Sequence, residues 1–331
     1  MAHTIVSVEA IGRSDQVSAS SDPNQRGAQS KATDMSAHSN VVRPRIAIAG
    51  ATGRVGAPLI AKLVDDPIEV LALTRSAGNP KLPANVNAAV VDFDDPSTLT
   101  TALRGVDRLF VAHGTSERQV QNEIALIDAA VAEDVQHIVK LSVLGPPTRL
   151  HPFDWHMRIE AHLALQDIGY TVLRPGTFAD TLARAAAPVA SGSWGGTAGD
   201  GRVNLIDTRD IADVARVALL ETEHVASQRA YHLTGPAAVS MPEVAEELSE
   251  LLGRRVSYEH RTLAEHRAVL IGSGVSEMVA DLLLGLDRVF RESVLAETTR
   301  TVASLTGREP RSIVDWLKDH LAAFEPKHTD A

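Results

Sequence analysis

The 331-residue chain contains no cysteine. Disulfides, thiol nucleophiles and cysteine metal sites are therefore excluded, and the usage suits a reducing compartment. No apolar run approaches the length of a membrane span. Lysine and arginine (32) are outnumbered by aspartate and glutamate (42), and a formal charge of -10 argues against nonspecific nucleic-acid binding, because a phosphate polyanion is repelled on average. The sequence shows no internal repeat, and its 13 histidines are scattered without metal-ligand spacing. Residues 1–42 lack the charged start and long apolar core of a secretory signal. What is there, 44% hydrophobic and 22% charged residues, is enough for one large core or one core with a smaller lobe.

Residues 1–42 are rich in Ser, Ala, Asp, Gln and Asn, with one short apolar patch at Ile5–Val8, and read as a disordered extension. Met35 is an alternative start just ahead of the first strand. From Arg45 onward, strand-like runs alternate with helical ones. Strands are expected at Ile46–Ala49, Glu69–Thr74, Asn87–Val91, Arg108–Ala112, His137–Leu141 and Thr171–Leu173. Helices are expected at Gly53–Val64, Ser97–Leu103, Glu117–Glu133 and Asp154–Asp167. Six strands with helical crossovers predict an α/β fold with a doubly wound parallel sheet. Its ligand crevice then lies beyond the carboxyl ends of the strands.

The first strand runs into Gly50-Ala51-Thr52-Gly53-Arg54-Val55-Gly56. Gly50 permits the sharp exit from the strand, Gly53 lets backbone approach a diphosphate, and Gly56 lets the next helix pack closely on the sheet. The helix start offers N–H groups and a positive dipole end to the anion. The spacing is G-x-x-G-x-x-G, and the strand before it and amphipathic run after it supply the context for a dinucleotide site. At the end of the second strand stands Arg75 in place of the carboxylate that would bind NAD ribose hydroxyls. With Arg54 in the turn, two guanidiniums flank one phosphate position, which favours NADP(H). Asp92 is placed to accept from the adenine amino group and Phe93 to shield the ring. The fourth strand exits through Ala112 and His113 over the cofactor ribose.

The Gly50 turn, Thr74-Arg75, Val91-Asp92-Phe93-Asp94, Gly105-Val106-Asp107-Arg108-Leu109-Phe110, Lys140-Leu141-Ser142 and Leu173-Arg174-Pro175-Gly176-Thr177-Phe178 together resemble the NmrA-like family of atypical short-chain dehydrogenases/reductases, over roughly Arg45 to Phe324. The resemblance implies a Rossmann-type domain over 43–180 and a smaller, mainly helical C-terminal lobe over 181–331, from which 203–220 returns to the main domain. It also implies that Lys140 holds the nicotinamide ribose and that Pro175, Gly176 and Phe178 run past the nicotinamide. Ser142 takes the place of the serine of ordinary short-chain dehydrogenases. Their Tyr-x-x-x-Lys pair is replaced by His156 and Glu160, four residues apart on one helix face. In a functional reading His156 is a proton donor to a developing oxyanion or simply orients substrate; in a structural one it is a partly exposed helix residue and Glu160 pairs with Arg158 or a neighbouring strand. Asp154 and Trp155 are expected on the substrate side.

The glycine-rich stretch Ala190–Gly201 reads as a mobile loop or irregular hairpin over a cleft, with Trp194 as its apolar contact. Beyond it, a strand at Val203–Ile206 leads into a helix opened by Asp207 and Asp210, the latter structural. The last third offers a strand at Ala230–Leu233, a helix capped by Ser240 and Glu243, a strand at Val256–Glu259 and then helices, all assigned to the smaller lobe. Met278, Leu282, Leu283, Leu284, Leu286 and Phe290 read as its core or interface. The expectation is an NADPH-dependent reductase of a quinone, enone or other conjugated carbonyl. A noncatalytic NADP-sensing regulator and a nonredox isomerase or cyclase stand as alternatives. The expected partner is a small-molecule substrate, without nucleic acid or membrane. A homodimer is the candidate assembly, the cytoplasm the expected location, and no metal is expected.

Overall fold

In the computed structural model, residues 43–326 are described, apart from 77, 79, 80 and 146–150. The extension, with its apolar patch and Met35, lies outside the described residues. The first half runs β1 (Arg45–Ala49), α1 (Gly56–Leu63), β2 (Glu69–Thr74), β3 (Asn87–Val90), α2 (Pro96–Leu103), β4 (Arg108–Val111), α3 (Gln119–Ala132), β5 (His137–Leu141), α4 (Phe153–Leu163) and β6 (Gly169–Pro175). Alternation within β1 explains how the sheet is covered on both faces. Ala47 and Ala49 face a core built with Leu99, Leu103, Leu126, Ile159 and Leu163 of α2, α3 and α4. Ile46 and Ile48 face the opposite core, with Leu59, Ile60 and Leu63 of α1.

The second half continues with β7 (Thr177–Phe178), a 3-10 turn at Ala179–Ala185, α5 (Ala186–Ala190), β8 (Gly195–Gly196), β9 (Arg202–Ile206), α6 (Thr208–Leu220), β10 (Gln228–Leu233), β11 (Ala238–Ser240), α7 (Met241–Leu252), β12 (Glu259–His260), α8 (Leu263–Gly272), α9 (Glu277–Arg291), α10 (Thr301–Thr306) and α11 (Ile313–Asp319). The main sheet has seven strands in the order β10-β6-β5-β4-β1-β2-β3. All its pairings are parallel. The strand assigned from sequence to the smaller lobe is therefore β10 of the main sheet, in register with β6 from Gln228 opposite Tyr170 to Leu233 opposite Pro175. Helix α6 places Ile211, Val214 and Ala215 in the α1-side core, and Asp207 caps its start. Asp210 is structural as expected, accepting from the Arg311 backbone at 2.7 Å and from its guanidinium.

A third core, apart from the two that cover the sheet, includes Phe153, Leu182, Trp194, Val203, Val244, Trp316 and Phe324. Helix α7 carries the expected capping box, Ser240 with Glu243. Two expectations fail here. The glycine-rich stretch is a packed segment, because Trp194 is buried edge-on to Tyr258 and β8 pairs with β12. Thr197 hands both its N–H and hydroxyl to Asp287. Gly195, Gly196 and Gly201 meet close neighbours: a Cβ on Gly196 would lie 2.4 Å from the Tyr258 hydroxyl. Of the strand expected at Val256–Glu259 only Glu259 is in a strand, the two-residue β12 that it forms with His260. On α9, Leu284 is buried and Leu286 and Phe290 pack on this third core, whereas Met278, also expected there, is exposed.

Candidate active site

The strand order reverses direction around β1, which lies between β4 and β2, and that is where a doubly wound sheet opens a crevice. A cleft of about 520 Å³ occupies it, walled by Ala49 to Gly53, the ends of β2 and β3, Val111 to Ser116, and Asn122, Glu123 and Leu126 of α3. Gly50 takes φ +77°, and a Cβ there would sit 2.4 Å from the Ala112 carbonyl oxygen. At Gly56 a Cβ would lie 2.2 Å from the Gly50 carbonyl oxygen. These two glycines are demanded by the turn itself. Gly53 is different: it is exposed, its nearest neighbour to a Cβ is 3.1 Å away, and its N–H closes the turn onto Gly50. Helix α1 starts at Val55 with no side-chain cap and no acidic residue in its first turn, which leaves its N-terminus uncompensated toward an anion.

Thr52, Gly53, Arg75, Phe93, Ala112 and His113 all line this cleft. Arg75 makes no ion pair or hydrogen bond among the described residues. Arg54 is exposed on the turn and equally without a partner, while Val55 and Gly56 are buried beneath it. Asp92 stands beside the wall, and its carboxylate accepts from the Asp94 N–H at 2.9 Å in a local turn. His113 is fixed from both sides: Nδ1 donates to the Gly114 carbonyl at 2.7 Å, and Nε2 accepts from the Asn122 amide at 3.0 Å. Its ring meets Phe93 edge-on.

A second cleft, about 170 Å³, is lined by Val143, Leu144, Gly145, Phe153, His156, Met157, Glu160, Arg174 and His232. His156 and Glu160 thus share one helix face, as their spacing predicts. Glu160 pairs with a neighbouring strand: Arg174 of β6 donates through Nε at 3.1 Å and through Nη2, and the Ser142 hydroxyl donates to the other carboxylate oxygen. Ser142 is buried behind the cleft wall with its hydroxyl committed, so it is not presented to a ligand. Asp154 accepts from His151, and Trp155 stacks on the same ring and packs on the sheet core, so neither lines the second cleft.

Lys140 departs most from its expected role of holding a ribose. Its side chain is 0% exposed, and Nζ lies 2.8 Å from Glu123 Oε2, whose side chain is 1% exposed. It also donates to the Leu141 carbonyl and stands 3.2 Å from His156 Nδ1. The strand directs Lys140 into the α3 and α4 layer, where an unpaired ammonium would be untenable. Burial first, and the neighbouring Lys140 charge second, push the His156 pKa down to about 2. Pro175 and Gly176 are buried, with Gly176 donating to the Leu233 carbonyl at 2.8 Å. The closest neighbour of a Cβ on Gly176 would be Asn204, so this glycine serves the contact between β6 and β9, and Phe178 packs on the α1-side core. None of the three borders the first cleft.

Sequence reasoning missed Gln119, Asn122 and Glu123. A signal exists: all three are buried on the same helix as Leu126, Ile127 and Ala130, so polar residues interrupt an apolar stripe. Buried polar groups of that kind need partners, and the partners mark the site. Among the described residues, the one group with metal-ligand proximity is Glu221, Glu223 and His224, at the strand starts ahead of β10, and none of the three borders either cleft.

Comparison with known proteins gives a consistent picture. The chain matches the NmrA-like family over residues 43–309. It is 34% identical to the NAD(P)H azoreductase of Xenophilus azovorans, across 84% of this chain and 99% of that one. It is 32% identical to the (4-alkanoyl-5-oxo-2,5-dihydrofuran-3-yl)methyl phosphate reductase of Streptomyces griseus, across 85% and 100%. Among solved structures, the NADPH-dependent quinone oxidoreductase of Escherichia coli complexed with NADPH superposes with a TM-score of 0.77 at 27% identity, across 84% of this chain and 99% of that one.

Proposed function

The chain belongs to the NmrA-like family and is an NADPH-dependent reductase; within that class we propose that it reduces a quinone, enone or other conjugated carbonyl of modest size. The observation that carries the cofactor side is Arg75, a guanidinium without a partner among the described residues, on the wall of the first cleft beside an uncapped helix start. A 2′-phosphate would supply its counter-charge, and a diphosphate the anion for Gly53 and the start of α1. Thr52, Arg54, Phe93, Ala112 and His113 complete the proposed cofactor wall, with Asp92 at the adenine end. When bound, NADPH supplies the hydride.

The second cleft supports the acceptor class. Val143, Leu144, Phe153 and Met157 give it apolar surface for a flat conjugated body, while His156 offers a polar group at its wall. Arg174 and Glu160 neutralise each other there, so no net charge is left to select an ionic substrate. The chain's own work is to bind and orient the acceptor and to exclude water from it. Following NADPH absorbance against a panel of quinones and enones tests the reading. Oxidation with at least one member is expected. Tight NADPH binding with no acceptor reduced would overturn it in favour of a dinucleotide sensor.

A further inference from the structure

Glu123 borders the first cleft and His156 the second, and Lys140 joins them from within the protein. Its ammonium donates to the Leu141 carbonyl, forms an ion pair with Glu123 Oε2 at 2.8 Å and stands 3.2 Å from His156 Nδ1. A protonated lysine has no lone pair, so His156 Nδ1 must accept. A neutral imidazole accepts at one nitrogen only, and the ring is held neutral by burial and by Lys140. The hydrogen therefore sits on Nε2.

What Nε2 meets is the Gln119 amide nitrogen, 3.3 Å away. That nitrogen is itself a donor, engaged with Glu123 Oε1 at 3.0 Å. Turning the amide over would bring the Gln119 oxygen, buried without a partner, to Nε2. It would also set that oxygen against Glu123 Oε1 at the same short range, two acceptors face to face. Neither orientation satisfies both ends. Among the described residues, the Nε2 hydrogen of His156 has no proper acceptor, on a side chain that lines the substrate cleft.

We propose that His156 acts as a neutral hydrogen-bond donor whose Nε2–H is kept for the carbonyl oxygen of the substrate, and that Glu123 and Lys140 are positioning residues that set this tautomer. The inference rests on the reductase reading. As hydride adds to the acceptor, the π electron pair moves onto the carbonyl oxygen, and Nε2–H stabilises the resulting oxyanion. The proton that completes the reduced product comes from water, and His156 keeps its own. The charged groups around the ring are Lys140 from β5 and Glu123 from α3, with Glu160 of α4 and Arg174 of β6 paired to each other on the same cleft.

Nitrogen-15 NMR of the histidine-labelled full chain tests this without turnover, with His156→Gln identifying the resonance. The expected spectrum shows the Nε2–H tautomer with no titration from about pH 5 to about pH 8. In Glu123→Gln/Lys140→Met, which removes both charges together, His156 should become a tautomer mixture, while burial, the larger cause of its lowered pKa, still keeps the ring neutral in that range. An Nδ1–H tautomer or a titrating ring in the native chain would overturn the proposal, as would an unchanged His156 spectrum in the double variant. On an accepted quinone, His156→Leu should lower kcat by about a hundredfold with little change in NADPH binding, and His156→Gln, which retains an N–H, should recover part of it. Equal kcat in all three proteins would also overturn it. Failure of every acceptor, with the tautomer as expected, would instead count against the reductase reading.

Discussion

Replacing Lys140 by methionine should be among the most damaging single changes in the sheet. The methionine nearly fills the volume, so the loss is electrostatic. Glu123 is 1% exposed, and without Lys140 its Oε2 keeps no partner, while Oε1 keeps only the Gln119 amide. Breaking a buried ion pair from one side costs about 3 to 5 kcal/mol, against a total stability of about 5 to 15 kcal/mol. Glu123→Gln should cost about as much, because it leaves the Lys140 ammonium buried without a counter-charge, although the Leu141 carbonyl and His156 Nδ1 remain near it. The double variant leaves no buried charge and should be more stable than Lys140→Met alone. Urea unfolding of the four proteins at neutral pH, with the slope held common, gives the cycle directly. The reasoning is refuted if Lys140→Met costs under about 1 kcal/mol, or if the double variant loses the sum of the two singles.

Arg75→Ala should weaken NADPH by about ten- to a hundredfold, the loss of one charge-assisted contact, and leave NADH within about twofold; equal losses in calorimetric titration would remove Arg75 from the 2′-phosphate. Gly56→Ala should lower the melting temperature clearly, since its Cβ would fall 2.2 Å from a carbonyl oxygen, whereas Gly53→Ala should fold nearly normally and lose dinucleotide affinity. The opposite ranking in melts and binding would mean that the turn is built otherwise. His137 is 0% exposed and its pKa is lowered to about 4, chiefly by burial and then by His224 and Arg108. The folded chain thus holds it neutral, so its contribution is complete above the unfolded value near 6.5 and is lost as pH falls through about 4, on the order of 3 kcal/mol in all. His137→Gln should flatten the stability profile in that window, and an unaltered slope would assign acid sensitivity to other groups.

The first half of the fold was legible because parallel strands covered on both faces must be apolar runs, and β1, β2 and β5 are near-continuous ones. The Gly50 and Gly56 constraints were legible too, since each follows from local backbone geometry. The place of β10 was not: its strand was expected at Ala230–Leu233, but Gln-Arg-Ala-Tyr-His-Leu is an edge strand, largely polar or half-exposed, and nothing local tells that it pairs with a strand ending at Pro175. The fate of Lys140 was hidden for a similar reason. A lysine after a strand points to a ribose by family pattern, but its ion pair lies on a helix whose facing is decided only by packing. Gly176 shows the limit from the other side, as the backbone nearest to a Cβ there belongs to Asn204 of the protein itself.

The late place of β10 in the chain has a consequence for biosynthesis. Strands β1 to β6 lie within residues 45–175, yet the outer partner of β6 is made only at residues 228–233. At roughly 5 to 20 residues per second, a nascent chain would carry six finished strands and an open flank for several seconds. That flank presents Thr171, Val172 and Leu173 with unpaired backbone groups, a template for any neighbouring chain. β10 is in this sense the seal of the sheet. A chain interrupted ahead of Gln228 should therefore aggregate through β6 and not persist as a free nucleotide-binding half.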